Sequence, residues 1–300
     1  MTSESTVKII LDGSSSLSEA WRGTLLTSVL LSGLGLILYA PILRLMARQW
    51  WDDPNYGHAM LVPVFVAYVL WRERTRWRAA AVRPSDYGLP LMLSAVGLLI
   101  LGMLSAELFT ARFSLIILIS GMIVFLAGWQ VLRSLAFPIA YSLFMIPLPA
   151  LVYYQLTFPL QLMASRLGAQ GLVMVGVHTL RQGNLLILPN VTLEVVEACS
   201  GVRSLLSLLA AAVAYVYLAE SSIWKRFLVV ALTIPIVILS NGLRLVATGI
   251  LSFVYGPQVV SGTTHTGLGL AFFALAYLSI IAIHRLLRHF TTRRIPAPVH

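Results

Sequence analysis

The sequence predicts an all-α membrane protein: a bundle of about eight transmembrane helices, with one helix lying in the interface and a short external β-hairpin-like segment. Three observations carry that prediction. Hydrophobic residues make up 58% of the 300 residues and charged ones only 11%, more apolar side chains than one water-soluble core can bury. The apolar residues fall into runs long enough to cross a bilayer, where about 20 residues span ~30 Å of hydrocarbon. The arginines behind the formal net charge of +10 sit in short clusters between those runs, as in cytoplasmic membrane loops, which argues against nucleic-acid binding.

Eight stretches qualify as spans: 24–47, 58–71, 87–106, 113–132, 134–149, 200–219, 227–252 and 266–284. The run after Arg22 is too long for a signal-peptide core and lacks a clear cleavage site, so it reads as an anchor. The domain reading is a polar cytoplasmic tail over 1–22, one integral-membrane domain over 23–290 and a basic cytoplasmic tail over 291–300. No internal repeat is visible.

Orientation follows from "WRERTRWRAAAVRP" after the second run and "HRLLRHFTTRR" near the C-terminus, both rich in arginine and hence cytoplasmic. Arg133 and the pair Lys225 and Arg226 fall on the same side if the spans alternate, and both termini then lie inside. The stretch 134–179 is apolar enough for two crossings but is broken by Pro138, Pro147, Pro149 and Pro159. Two crossings would put the Lys225 loop outside, against the charge rule. The expectation is therefore a short span over 134–149 and an interfacial helix over 155–178, its wetter face formed by Gln155, Gln161, Arg166 and Gln170. "RQGNLLILPNVTLEVVEA" follows, with Gly183, Asn184, Pro189 and Asn190 as turn residues between β-rich runs, and predicts an external hairpin.

Cys199, the only cysteine, stands at the outer start of the sixth run in this topology. One cysteine excludes an intramolecular disulfide and a multi-thiolate metal site, and no cofactor or metal is implied. A lone cysteine in a membrane protein often packs as a small hydrophobe. At a helix N-terminus, however, unpaired N–H groups and the macrodipole favour a thiolate, and Ser200 and Gly201 allow close backbone turning beside it. Arg244 lies deep in the seventh run, again near the outer face, where an unpartnered arginine is costly. Asn241 is one turn before it on the same helix face. His265 immediately precedes the eighth run at the same boundary. A thiolate nucleophile needs an imidazole to take and return a proton, and acyl transfer needs a fixed donor for the oxyanion, which Arg244 suits. His58, at the outer start of the second run, is a competing base or a substrate-binding residue, while His178, His284, His289 and His300 read as interfacial or cytoplasmic.

These residues resemble the exosortases, multi-spanning cysteine transpeptidase-like enzymes paired with proteins bearing a PEP-CTERM tail. The family's cysteine motif corresponds to "EACSGVRS", its Asn-x-x-Arg motif to Asn241 and Arg244, and its late histidine to His265 in "THTGLG". Supporting similarity lies in "GHAMLVPVFVAYVLWRER", "MIPLPALVYYQLTFPLQLMASRL" and "GNLLILPNVTLEVVEACSG". The resemblance implies Cys199, Arg244 and His265 as catalytic residues, with Asn241, Glu197, Ser200, Gly201, Arg203 and His58 in supporting or substrate-binding roles. It also implies a substrate with a Pro-Glu-Pro-like motif, a transmembrane helix and a basic cluster, cleaved through a thioester on Cys199. An unknown acceptor amine or water then resolves the thioester. The implied address is the inner membrane of a Gram-negative bacterium, with exopolysaccharide as the context. The chain ends soon after the eighth run, without the extra C-terminal domain of some relatives, so whether a separate accessory protein supplies that role stays open.

Two other classes compete. In a transporter or polysaccharide-export subunit, Arg244 and His265 line a pathway and Cys199 is incidental. In a glutamate-based protease, Glu194 and Glu197 share a helix face as bases or metal ligands, although no H-E-x-x-H pattern accompanies them.

Overall fold

The computed structural model describes residues 3–195, 201–256, 258 and 262–292, without the side chains of 3–24, 54, 201–204 and 291–292. Cys199, Glu197 and Ser200 lie outside the described residues, and Gly201 and Arg203 are described by backbone alone. The chain forms two compact units, Met1–Pro149 and Ala150–His300.

The first unit contains α1 (Ser3–Asp52), a 3-10 helix over Pro54–Met60, α2 (Leu61–Arg72), α3 (Arg74–Arg78), α4 (Gly88–Leu104), α5 (Leu108–Ala127), α6 (Trp129–Ser134), α7 (Ala136–Tyr141) and a 3-10 turn over Ser142–Met145. α4 and α5 are an antiparallel pair whose backbones touch at glycines. A Cβ on Gly88 would lie 2.4 Å from Phe125 N, and one on Gly102 2.6 Å from Ala111 N. α1 joins them through Tyr39, fully buried, whose hydroxyl lies 2.7 Å from that of Ser114. The opposite face of α1 is apolar and outward, Ile37 being 75% exposed, as a lipid-facing surface requires. Gly88→Ala should destabilise this unit by about 1–3 kcal/mol, because a backbone atom cannot yield without parting the helices. Thermal unfolding in detergent, compared with the unobstructed Gly97→Ala, is the check; equal melting would remove the close contact from the account.

The second unit contains α8 (Ala150–Met174), β1 (Leu180–Gln182), β2 (Leu185–Ile187), β3 (Thr192–Glu194), α9 (Gly201–Ala219), α10 (Ile223–Tyr255) and α11 (Gly262–Thr292). The expected hairpin is a three-stranded antiparallel meander in the order β1-β2-β3. Gln182 pairs with Leu185, so Gly183 and Asn184 form a two-residue turn, and Gly183 takes φ 64° there. Leu186 and Leu193, a cross-strand pair, are both fully buried in one core with Ala164 and Leu172 of α8 and Leu245 of α10. Asn190, in the second turn, donates from Nδ2 at 2.9 Å to Ser252 O, a carbonyl in the last turn of α10 that also accepts from Gly256 N, and so ties the meander to that helix.

α9 and α10 are antiparallel neighbours joined at Glu220–Ser222, and α11 packs on both. A buried polar chain ties the three together at the turn end. The Tyr215 hydroxyl lies 2.8 Å from His284 Nδ1, and His284 Nε2 lies 3.2 Å from Glu220 Oε2. His284 is thus 1% exposed and an internal partner of this chain of groups. Burial alone would raise the Glu220 pKa; donation by Ser222 N–H, His284 and Ser221 N–H, with Lys225 nearby, holds it below its ordinary value. That contribution to stability is present above the ordinary carboxylate range and is lost as pH falls through the depressed value.

Several expected boundaries change. Among the described residues four helices are long and apolar enough to cross a membrane, Leu25–Asp52, Leu108–Ala127, Ile223–Tyr255 and Gly262–Phe290, with a fifth if Ala136–Met145 and Ala150–Met174 count as one broken span. The eight expected spans are therefore not all present as long helices among the described residues. The stretch 58–71 divides between the 3-10 helix and the 12-residue α2, about 18 Å of helix at 1.5 Å per residue and too short to cross alone. The stretch 134–149 breaks into α6, α7 and the 3-10 turn before the Pro147 and Pro149 segment, as proline in a helix interior dictates. α4, at 17 residues, is apolar but shorter than a full span, while α9 covers 19 residues of the expected 200–219 stretch.

The interfacial placement expected for 155–178 gives way to a different packing. Leu167 meets Gly242, Gly168 meets Leu245, Gly171 meets Val246 and Leu172 meets Gly249. These contacts advance in step, so α8 runs alongside α10 in the same direction over this stretch. A helix in the interface would instead cross a spanning α10 steeply. Small residues on both helices permit the approach, as in membrane bundles generally.

Candidate active site

Arg244 sits in the middle third of α10 and is only 8% exposed. Its face of the helix also carries Asn241, 8% exposed, and the fully buried Thr248 and Ser252, a polar row at the three- and four-residue spacing of neighbouring turns. Opposite stands α11, which begins at Gly262 with φ 72°, a left-handed conformation that favours glycine. His265 therefore occupies the first turn of that helix and does not precede it.

The two residues meet. Arg244 Nη2 donates to His265 Nε2 at 2.9 Å. A guanidinium has no acceptor, so the histidine nitrogen accepts, and the imidazole held this way is the neutral form with its other nitrogen protonated. Arg244 Nε is buried with no acceptor among the described residues. The arginine thus has a donor in reserve for an incoming oxygen. Ser240 Oγ donates to Phe272 O at 2.9 Å and pins α10 to α11 beside the pair. Leu208 of α9, Val237, Asn241, Gly269, Phe272 and Phe273 complete the walls of a small cleft that contains Arg244.

Gly269 is the residue that sequence reasoning missed. It lies one turn after His265 on the same face of α11, and a Cβ there would come within 3.2 Å of Arg244 Nη2 and 3.4 Å of its Cζ. Absence of a side chain lets the guanidinium lie flat against the helix. The signal was present in "THTGLG", where histidine and glycine stand four apart, but nothing local says that an arginine presses on that face. Gly269→Ala should lower activity about tenfold, because a shift of a few tenths of an ångström at the guanidinium misplaces its donors. Processing rates at matched abundance check this, and an unchanged rate in Gly269→Val would remove Gly269 from the site.

The other predicted residues are placed as follows. Asn241, Arg244 and His265 come together in the second unit, with Asn241 in the cleft wall. Gly201 and Arg203 belong to the first turn of α9. His58 is in the 3-10 helix of the first unit, its Nδ1 buried and its ring beside the backbone of Asn55 and Phe144. Glu194 ends β3, paired with Leu185. A strand position removes the shared helix face on which the two-glutamate reading depended.

The transmembrane exosortase family model (Exosortase_EpsH) matches residues 50–282, more than three quarters of the chain. No curated protein and no solved structure matches significantly. The matched region holds the Arg244–His265 pair and the helices from α2 through most of α11, and with the apolar helices it makes this a membrane protein: the chain belongs to the transmembrane exosortase family.

Proposed function

We propose that the chain is a membrane-embedded cysteine endopeptidase or transpeptidase that cleaves PEP-CTERM-type sorting tails through a thioester on Cys199. The observation that carries this reading is the hydrogen bond from the buried Arg244 to the half-buried His265, together with the donor that Arg244 keeps in reserve. Membership of the exosortase family supports a sorting transpeptidase type of function.

Chain geometry supports Cys199 as the third member. Residues at similar distances from the Glu220–Ser222 turn come near one another on α9 and α10: Leu208, 13 residues before Ser221, and Val237, 16 after it, share one core. Cys199 stands 22 residues before Ser221 and Arg244 stands 23 after it. Cys199 is also only two residues from Gly201, so their Cα atoms are at most about 7.6 Å apart. β3, anchored on α8 and α10, delivers the chain from the other side.

The reaction then runs in two halves. Cys199 passes its thiol proton to His265 Nε2, which Arg244 releases as it turns to the substrate carbonyl. The thiolate attacks that carbonyl, Arg244 bonds the developing oxyanion, and collapse breaks the C–N bond as His265 returns the proton to the departing amine. Attack by an acceptor amine or water on the thioester frees Cys199. The substrate's basic tail cluster stays in the cytoplasm, so its Pro-Glu-Pro motif emerges at the outer face, the depth proposed for the site.

This reading needs both termini inside and the meander outside, in an inner membrane. Reporters fused after Arg78 and Arg226 should report cytoplasm, and one after Asn190 the outside. A cytoplasmic reporter at Asn190 would overturn the sidedness. Co-expression with a PEP-CTERM protein, followed by mass spectrometry of its new C-terminus, tests the activity and separates hydrolysis from transfer.

A further inference from the structure

Among the described residues Arg112 is the other buried arginine of the apolar helices, and nothing in the proposed reaction uses it. It lies in the second turn of α5, an apolar helix long enough to cross the membrane, and is 3% exposed. Two of its guanidinium nitrogens, Nε and Nη2, are buried with no acceptor among the described residues. Those are the two nitrogens whose N–H bonds point the same way, the side-on fork that takes both oxygens of a carboxylate. An arginine in an apolar helix with its fork empty is costly, and such groups mark ligand sites.

The carboxylates nearby do not fill the fork. Glu107 caps α5, accepting from Thr110 N at 2.7 Å and Phe109 N at 3.2 Å. Asp53 caps the 3-10 helix, accepting from Asn55 N and Nδ2 at 2.9 Å. Both are bound to backbone amides that would otherwise be orphaned. Tyr56, buried on the 3-10 helix, lies within electrostatic reach of Arg112 and adds a polar wall. His58 follows two residues later, its ring also largely buried.

We propose that Arg112 is the binding residue of a carboxylate subsite in the first unit, which takes the acidic side chain of the peptide that this protein processes. The proposal rests on the function proposed above for the substrate and its topology, in which α5 starts at the outer side, opposite the cytoplasmic Arg133. A side chain is favoured over a lipid phosphate because the arginine is almost wholly enclosed and its fork presents two coplanar donors, which suit one planar group on a slender stem.

The test uses full-length protein in nanodiscs, carrying Cys199→Ala so that bound peptide is not turned over. Two fluorescent peptides are compared, each with an apolar segment after the motif: one with Pro-Glu-Pro, the other with Pro-Gln-Pro. The unmodified Arg112 should prefer the glutamate peptide about ten- to a hundredfold. Arg112→Gln should lose the preference while binding the glutamine peptide unchanged, which shows that the protein is folded. Arg112→Lys should recover only part of it, since an ammonium lacks the fork. A glutamate preference that survives Arg112→Gln overturns the subsite, as does equal or absent binding of both peptides by the parent. So does a preference that disappears in nanodiscs containing anionic lipid, which would assign the fork to lipid phosphate. If the preference depends on Arg112 but the Cys199 enzyme cleaves neither peptide, the subsite stands and the proposed activity fails.

Discussion

Cys199→Ala should abolish substrate processing while leaving a folded, membrane-inserted protein. Replacing a thiol by a methyl group removes little buried volume, so abundance and melting should change little, but the nucleophile is gone. A loss on the order of 10⁴-fold or more is expected, as removal of a nucleophile from an interdependent set costs elsewhere. Cys199→Ser should be nearly as poor, because a hydroxyl beside a neutral imidazole is far less ionised than a thiol. The measurement is the new C-terminus of a co-expressed PEP-CTERM protein. Normal processing by the alanine variant would discard the enzyme in favour of the transporter, for which Cys199 is incidental.

Arg244→Lys should be severely impaired although it keeps the charge. The guanidinium bonds His265 through Nη2 at 2.9 Å and holds Nε in reserve. One ammonium on a narrower stem cannot reproduce both positions. It also hydrates strongly, and at this depth would deprotonate or reach for the headgroups. Losing one oxyanion donor typically costs about 2.7 to 4 kcal/mol, a hundred- to thousandfold in rate. Rates for wild type, Arg244→Lys and Arg244→Ala at matched membrane abundance decide the matter. Near-wild-type cleavage by the lysine variant would refute the oxyanion role and leave the nucleophile untouched.

The two variants test different links. The cysteine variant asks whether covalent chemistry occurs at all. The arginine variant asks whether a fixed planar donor stabilises its transition state, and Gly269→Ala asks how accurately that donor must lie.

What the sequence determined by itself follows from properties that are local along a chain. Hydropathy and the clustering of Arg72, Arg74, Arg76 and Arg78 mark a membrane protein with definite basic loops. Turn residues Gly183 and Asn184 announce a hairpin that the structure places between those positions. The motifs around Asn241, Arg244 and His265 single out residues that the fold does bring together.

Tertiary structure decided what depends on contacts between distant segments. Apolar composition is the same whether a run forms one long helix or a 3-10 turn and a short one, so the fate of 58–71 rests on what packs against it. Likewise, the glycines at 168, 171, 242 and 249 carry no signal of direction until their partners are known, yet their mutual contacts set α8 alongside α10. Arg112 stood just before an expected span that began at 113, and only the earlier start of α5 at Leu108 encloses it. The Arg244–His265 hydrogen bond joins residues 21 apart on two helices, and the guanidinium that makes it lies close against the bare face that Gly269 presents. Periodicity reports which face of a helix is apolar; which helix covers that face, and how closely, is fixed by shape complementarity that no single segment contains.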